Sequence, residues 1–275
     1  MKMRFEEKIG ALLLAVAVFF HVFARGVLPN DAFFLAANIL NVTFSFFAVY
    51  YTLAAFVVSQ YDEASRHFWL FMHMGLLVWF LGDVAWLVQE IFLNLPVPFP
   101  SFSDIFWVLG YPLLIFALLH WFRNFVLGET RLSQFNVIAM VGAAMVASIL
   151  VFGAPGLFSM SVGGLGNTLN SLYIAGDFLL FLIAISVALI LAQEARQFGY
   201  KETRGYWMFL AFAFAALSIF DILFGFLVGR GSYYTGHAID FLYYAGYLTL
   251  GMAAVYFRYS TTQSSIWVLP KQRKR

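Results

Sequence analysis

The stretch GDVAWLVQEIFLNLPVPFPSFSDIFWVLGYP, residues 82–112, joins two long apolar segments through a proline-rich loop. Asp83 lies well inside the first segment, where a carboxylate costs several kcal/mol unless it meets a partner, a water-filled cavity or a proton. The three prolines of the loop stop a helix, because proline lacks the backbone N–H that a helix uses. Ser101 or Ser103 can then cap the next helix, with Asp104 in its first turn. The stretch therefore predicts two membrane helices with acidic residues near the loop that joins them.

The second half of the chain repeats these landmarks. In both halves an aspartate lies inside an apolar segment, a second aspartate opens the next segment, and a tyrosine follows it seven residues later. The matching pairs are Asp83 and Asp221, Asp104 and Asp240, and Tyr111 and Tyr247. The motif Asn-x-x-Asn also recurs, at residues 38–41 and 167–170. These echoes predict tandem four-helix repeats at residues 1–128 and 129–259, in one orientation because each has an even number of spans, and a basic tail at 260–275.

Composition places the chain in a membrane. Of its 275 residues, 63% are hydrophobic and only 11% are charged, which is too little polar surface for a soluble globule of this size. Eight apolar runs are long enough to cross a bilayer, which takes roughly 20 residues. They lie at residues 9–28, 33–59, 67–93, 102–122, 133–153, 167–193, 204–228 and 238–258. The expected fold is all-α, with eight transmembrane helices.

The basic residues predict the orientation of the chain. When the loops are counted alternately, all of the 16 Lys and Arg residues except Arg25 and Arg230 fall on one side. The positive-inside rule then places both termini in the cytoplasm of a multi-pass cell-membrane protein. The net charge of +2 reflects this asymmetry, so we expect lipid headgroups and not nucleic acid as the partner of the basic tail. The chain has no cysteine, which excludes disulfides and thiolate-bound metals.

Acidic and aromatic residues share faces of the predicted helices. Four residues of the third span follow at steps of four, three and four, and therefore lie on one helical face: Trp79, Asp83, Trp86 and Glu90. Such a face predicts a cavity in the outer half of the bilayer. The expected ligand-binding residues are Asp83, Trp86, Glu90, Asp104, Tyr111, Asp221, Asp240 and Tyr247. On the eighth span, Tyr244 is expected on the same face as Asp240. Asp177 is a further embedded carboxylate outside this set. The structural alternative is a dry helix bundle in which neighbouring donors satisfy each acid.

Several motifs resemble a known membrane region. Gly82-Asp83, Pro98-Phe-Pro-Ser-Phe-Ser-Asp104 and Leu109-Gly-Tyr-Pro-Leu113 resemble the multi-helix region N-terminal to some bacterial GGDEF and GGDEF-EAL proteins, which make or degrade cyclic di-GMP. Ser232-Tyr-Tyr and Asp240-Phe-Leu-Tyr-Tyr-Ala-Gly-Tyr247 are similar to the same region. The resemblance covers most of the chain and implies a membrane sensory or ligand-binding region, without a known ligand or catalytic set. Because a basic tail stands where those proteins have an output domain, we expect a signal to leave through a separate partner.

Three functions agree with these residues. The first is a sensory or small-ligand-binding module whose cavity takes a small cation, a protonated amine or an amphiphile, which tryptophan neighbours would suit. The second is a cation- or proton-coupled transporter. The third is an intramembrane lipid hydrolase that uses paired aspartates as acid and base, although no Gly-x-Ser-x-Gly elbow is present. We expect a binding protein and not an enzyme, with no metal site and no cofactor specified. His73 and His120 could approach each other but lack a haem-binding spacing.

Overall fold

The computed structural model describes residues 5–60, 63–129, 163–198 and 201–268. Within these ranges all regular structure is helical, as the all-α prediction requires. Seven long helices are present in them: α1 Phe5–Val27, α2 Asn30–Val58, α3 Glu63–Phe92, α4 Ser103–Glu129, α5 Gly163–Phe198, α6 Lys201–Gly229 and α7 Asp240–Val268. One π-helical turn lies in α1, at Phe20–Ala24, and another ends α3, at Val88–Phe92.

Six of the described helices, α1 to α6, are long and apolar enough to cross a membrane. Large apolar side chains on their outer faces remain exposed, among them Phe46, Leu81, Phe116, Leu172 and Phe212. A protein in water rarely exposes so much contiguous apolar surface, so a lipid bilayer is the environment that suits these helices. The membrane prediction is therefore supported.

The eight-span prediction is confirmed only in part. The span expected at 133–153 lies outside the described residues. The span expected at 238–258 is helical, within α7, but α7 is not among the six helices that qualify as spans. Its apolar residues alternate with tyrosines and with polar groups, which lowers its hydropathy.

Two predicted loops are partly helical. α5 already begins at Gly163, inside the loop expected between the spans at 133–153 and 167–193. α4 continues to Glu129, into the loop expected between the spans at 102–122 and 133–153. The remaining loop residues, 153–162, lie outside the described residues. α7 runs to Val268 and so takes in the first part of the tail expected at 260–275, whose last seven residues are not described.

Helices α2 to α7 form a closed ring. Each packs against its neighbour in chain order, and α7 closes the ring against α2. α1 lies outside the ring, against α7. In a ring of six, α2 stands opposite α5, α3 opposite α6 and α4 opposite α7. This order agrees with the helix pairs that the predicted repeat would relate, but the repeat stays a prediction because one of its helices would lie at 133–153, outside the described residues.

Close helix contacts bring the aromatic side chains of the ring inward. At Gly110 on α4, an added Cβ would stand 2.2 Å from the Trp79 ring of α3. At Gly176 on α5, it would stand 2.5 Å from the Tyr111 ring of α4. Only a glycine leaves room for these rings, because such separations are far below a van der Waals contact. The two glycines thus let α3, α4 and α5 direct Trp79 and Tyr111 towards the interior of the ring.

Candidate functional site: an acidic cavity inside the helix ring

A cavity of about 80 Å³ lies inside the ring, near the end where residues 93–102 join α3 to α4 and residues 230–239 join α6 to α7. A space of this size holds several water molecules or a small ion with its first partners. We call it the acidic cavity. The side chains that line it are Asn41, Trp79, Asp83, Trp86, Trp107, Tyr111, Tyr173, Asp177, Leu217, Phe220, Asp221, Phe224, Tyr233, Asp240, Tyr243 and Tyr247.

Four aspartates line this cavity, and they come from four helices: Asp83 of α3, Asp177 of α5, Asp221 of α6 and Asp240 of α7. Asp83 is 3% exposed, and Asp177 and Asp240 are each 1% exposed. Among the described residues that line the cavity there is no Lys, Arg or His. Buried carboxylates need a positive charge or protons to offset their charge. Protons or a cation are therefore the groups that can offset the charge of these aspartates.

Asp83 has one carboxyl oxygen without a hydrogen bond. The indole N–H of Trp107 donates to Oδ1 at 3.0 Å. Within the described part of the chain, Oδ2 is buried and has no partner. The hydroxyls of Ser45 and Tyr243 lie near this carboxyl group, but neither donates to Oδ2 in normal hydrogen-bond geometry. A buried acceptor without a donor is costly, so this oxygen is a position where a bound group would gain free energy.

Three tryptophans surround the same part of the cavity. The indole N–H of Trp79 donates to the carbonyl oxygen of Trp107 at 2.8 Å. The indole N–H of Trp86 donates to Oγ1 of Thr235 at 3.3 Å. The Trp86 and Trp107 rings lie 5.6 Å apart. With their N–H groups occupied, the three indoles offer the cavity only their ring systems. Aromatic rings next to a carboxylate form the kind of surroundings that organic cations prefer.

Asp177 and Asp221 form a second acidic position in the cavity wall. Their carboxyl groups lie within hydrogen-bonding reach of each other. The Tyr111 hydroxyl lies 2.8 Å from Oδ1 of Asp177, to which it donates, and 3.5 Å from Oδ2 of Asp221. Two ionised carboxylates have no donor between them, so a hydrogen bond from one to the other requires a proton. We refer to these two residues as the Asp177–Asp221 pair.

Asp240 and Asp104 are held by the starts of their helices. Asp240 accepts the backbone N–H of Gly236 at 2.7 Å and the Tyr233 hydroxyl at 3.0 Å. Asp104 accepts the backbone N–H of Ser101 and the Tyr173 hydroxyl. Both carboxyl groups therefore have donors in place. The expected serine cap of α4 is also present, because Oγ of Ser101 accepts the backbone N–H of Ser103 at 3.2 Å and Asp104 lies in the first turn. Asp104 does not line the cavity but lies behind Tyr173, which does.

Glu90 also lies away from the cavity. Its Oε2 accepts a hydrogen bond from Nδ2 of Asn38 at 2.7 Å, and its Oε1 lies 3.5 Å from the backbone N–H of Val97. The predicted stripe from Trp79 to Trp86 does line the cavity, but the wider π-helical turn at Val88–Phe92 shifts the helical face before Glu90 is reached. Glu90 instead connects α2 and α3 to the proline loop.

Six of the eight expected site residues thus line one cavity: Asp83, Trp86, Tyr111, Asp221, Asp240 and Tyr247. Sequence reasoning left Asp177 out of the site, although an acid embedded in an apolar segment was already the signal. It also placed Tyr244 with Asp240, whereas the structure places Tyr243 in the cavity. Tyr244 stacks on Phe44 of α2, with 4.7 Å between ring centroids. A step of three and a step of four fit one helical face equally well, so only the packing could decide between them.

The loop at residues 93–102 covers one end of the cavity. Val97 and Phe99 pack against the cluster that contains Trp86 and Phe224. The Phe99 ring lies 5.6 Å from the ring of Phe224. The loop is therefore part of the wall and not a free connector.

The structure gives His73 and His120 different neighbours. His73 lies 3.2 Å from the carbonyl oxygen of Val49, and the His120 ring is 5.2 Å from that of His67. Over the residues that were described, no group of three or more His, Asp or Glu side chains could hold a metal ion.

Comparisons of the chain with protein-family models, with curated proteins and with solved structures found no significant match. Its function must therefore be inferred from the chemistry of the acidic cavity.

Proposed function

We propose that the chain is an integral membrane module that binds a small organic cation in the acidic cavity. The observation that carries this proposal is the wall itself: four aspartates and three tryptophans surround one small space, and no basic side chain lies among the described lining residues. A cation would offset the buried negative charge, which no side chain of the wall does.

An ammonium group fits the available donors and acceptors. Oδ2 of Asp83 needs a donor, and an ammonium N–H supplies one. The indoles of Trp79, Trp86 and Trp107 suit the alkyl part and the spread charge of such a cation. The volume of about 80 Å³ favours a small amine over the larger amphiphile that the sequence also allowed. Metal ligation has less support, because the described acids do not converge as a metal requires.

A sensory role is our proposed use of this binding site. The resemblance to the membrane regions of cyclic di-GMP signalling proteins supports it, and we propose that a separate membrane or cytoplasmic protein carries the signal onward. The basic residues support an orientation with both termini in the cytoplasm. In that orientation the cavity and the proline loop lie towards the outer face of the membrane.

Cation–proton transport is the second candidate, favoured by one observation. The Asp177–Asp221 pair is arranged to share a proton, as intramembrane carboxylates of transporters do. Proteoliposome flux of ethylammonium under a pH gradient separates the two functions, since a sensor binds without net transport. The lipid-hydrolase alternative has less support, because the cavity is far too small for a lipid chain and its headgroup.

Calorimetric titration of the purified protein in nanodiscs tests the binding proposal. We use ethylammonium chloride as the probe at constant ionic strength, and we expect saturable binding that Asp83→Asn abolishes or weakens strongly. Asp31→Asn is the matched control, because Asp31 is an exposed acid in the first turn of α2 and does not line the cavity. Equal affinity for the unaltered protein and Asp83→Asn would overturn the assignment of the site. Absence of any binding would overturn the function.

A further inference from the structure

The cavity contains two acidic positions with different partners. At Asp83 one oxygen lacks a donor and aromatic rings surround the group. At the Asp177–Asp221 pair two carboxyl groups lie against each other and share the Tyr111 hydroxyl. The first position lacks a positive charge, while the second already requires a proton. The two positions are thus suited to different positive charges.

Direct contacts connect the two positions. Trp107 donates to Asp83 and, through its carbonyl oxygen, accepts the indole N–H of Trp79. The Trp79 ring lies edge-on against Tyr111, with 5.1 Å between centroids. The Tyr111 hydroxyl then reaches the Asp177–Asp221 pair. A cation bound at Asp83 and the indoles would therefore be connected to the pair through Trp79 and Tyr111.

No other described group near the pair is able to neutralise it. Among the described residues, the titratable side chains that interact with the pair or share its cavity are acids and tyrosines. They are Tyr111, Tyr173, Tyr233, Tyr243, Tyr247, Asp83, Asp104 and Asp240. The bound cation and the proton of the pair both add positive charge to one small, poorly hydrated cavity, where like charges repel far more strongly than in water. Cation binding therefore weakens the binding of the proton to the Asp177–Asp221 pair.

We propose that the Asp177–Asp221 pair holds one proton while Asp83 is unliganded, and that it releases this proton to water when a cation binds at Asp83. The O–H bond of the carboxyl pair breaks, the electron pair stays on the carboxylate and the proton goes to water. The cation thus replaces the proton as the positive charge that offsets the aspartates, and the net charge of the cavity is the same before and after the exchange. This inference rests on the proposed binding function and adds its regulation. The cavity exchanges one H⁺ for one organic cation, so its occupancy by the cation depends on both the cation concentration and the pH.

Proton release is measured directly on the unaltered protein. Ethylammonium is titrated calorimetrically in two buffers of different ionisation enthalpy, and the difference gives the number of protons released per bound cation. We expect about one, and an affinity that rises about tenfold per pH unit while the pair is protonated in the free protein. Tetramethylammonium carries no dissociable proton, so the same count with this probe assigns the proton to the protein.

Asp177→Asn and Asp221→Asn test the source of the proton. Each leaves one carboxyl group beside an amide that donates a hydrogen bond without a shared proton. We expect ethylammonium to bind to both variants, with proton release reduced to about zero and the pH dependence lost. Asp31→Asn should keep the release of about one proton. If neither pair variant folds, the two-buffer count on the unaltered protein still decides whether cation binding releases a proton, and a count of zero overturns the exchange.

The outcomes separate this inference from the binding function on which it rests. Ethylammonium binding without proton release, or undiminished release in both folded pair variants, overturns the exchange and leaves the cation site standing. Absence of binding at every pH overturns the proposed function itself.

Discussion

Asp83 and Asp221 occupy matching positions in the two predicted repeats, yet their surroundings differ. Asp83 faces indoles and has a free acceptor oxygen, whereas Asp221 lies against a second carboxyl group. The difference comes from the neighbouring helix. Seven residues after the Asn-x-x-Asn motif, α5 carries Asp177, while α2 carries the fully buried Ala48. In our proposal this one added carboxylate distinguishes the proton-binding position from the cation-binding position, so we assign different roles to the two halves.

The largest expected effect follows from removing the charge at Asp83. Asp83→Asn should weaken ethylammonium binding by about 100-fold, because a buried ion pair that loses one partner costs about 2–5 kcal/mol. At high pH, Asp221→Asn should change the same affinity by less than about fivefold, since the pair then holds no proton to release. Calorimetric affinities at one high pH make the comparison. Equal losses in the two variants would contradict the division of roles.

The next effect concerns the position of Tyr111. Gly176→Ala places a methyl group 2.5 Å from the Tyr111 ring, and relieving such a contact should cost about 1–3 kcal/mol of stability. We expect a lower thermal unfolding temperature, together with a changed proton count on ethylammonium binding because Tyr111 must move from the Asp177–Asp221 pair. Gly164→Ala is the matched control on the same helix, where an added Cβ meets nothing within 4 Å. An unchanged unfolding temperature for Gly176→Ala would show that the Tyr111 ring is not confined there.

A smaller effect tests the donor to Asp83. Trp107→Phe keeps an aromatic ring but removes the N–H that donates to Oδ1, which is worth about 1–3 kcal/mol for a hydrogen bond to a charged group. With two unpartnered oxygens, Asp83 should bind ethylammonium at least as tightly as before, while the protein without the probe becomes less stable. Thermal unfolding with and without ethylammonium measures both. A loss of binding equal to that of Asp83→Asn would assign Trp107 to the cation itself.

The smallest effect lies in the loop at 230–239, outside the predicted spans. Burial and the nearby Arg25 and His21 lower the pKa of His237, whose Nδ1 accepts the N–H of Ile239 at 3.3 Å. The unfolded chain therefore takes up this proton more readily than the folded one, so the contribution of His237 is present above the unfolded pKa of about 6.5 and declines as the pH falls below it. We expect a slightly larger drop in unfolding temperature between about pH 7 and pH 5 for the unaltered protein than for His237→Asn. A variant with the same drop would contradict this assignment.

Sequence patterns predicted the helices and most of the aspartates that line the acidic cavity, and the reason is physical. A membrane segment is recognised by its length and composition, and an acid inside it is conspicuous because its burial is so costly. Asp83, Asp221 and Tyr111 were found in this way. The pairing of Asp177 with Asp221 was not, because it depends on which faces of α5 and α6 meet, and that is decided by the packing of the whole ring.

Local geometry accounts for the other differences between the predicted site and the structure. The step from Trp86 to Glu90 predicts a common face only in a regular α-helix, and the π-helical turn at Val88–Phe92 breaks that regularity. The choice between Tyr243 and Tyr244 depends on where α2 and α1 pack against α7. Neither of these features leaves a signal in the hydrophobic pattern.

The contact of α7 with α2 closes the ring of described helices, so the four aspartates of the cavity are approached by helices from all sides. The cavity lies near the end of the ring where residues 93–102 and 230–239 connect the helices. We therefore expect a molecule from the water at that end to reach the aspartates more readily than one dissolved in the lipid around the ring.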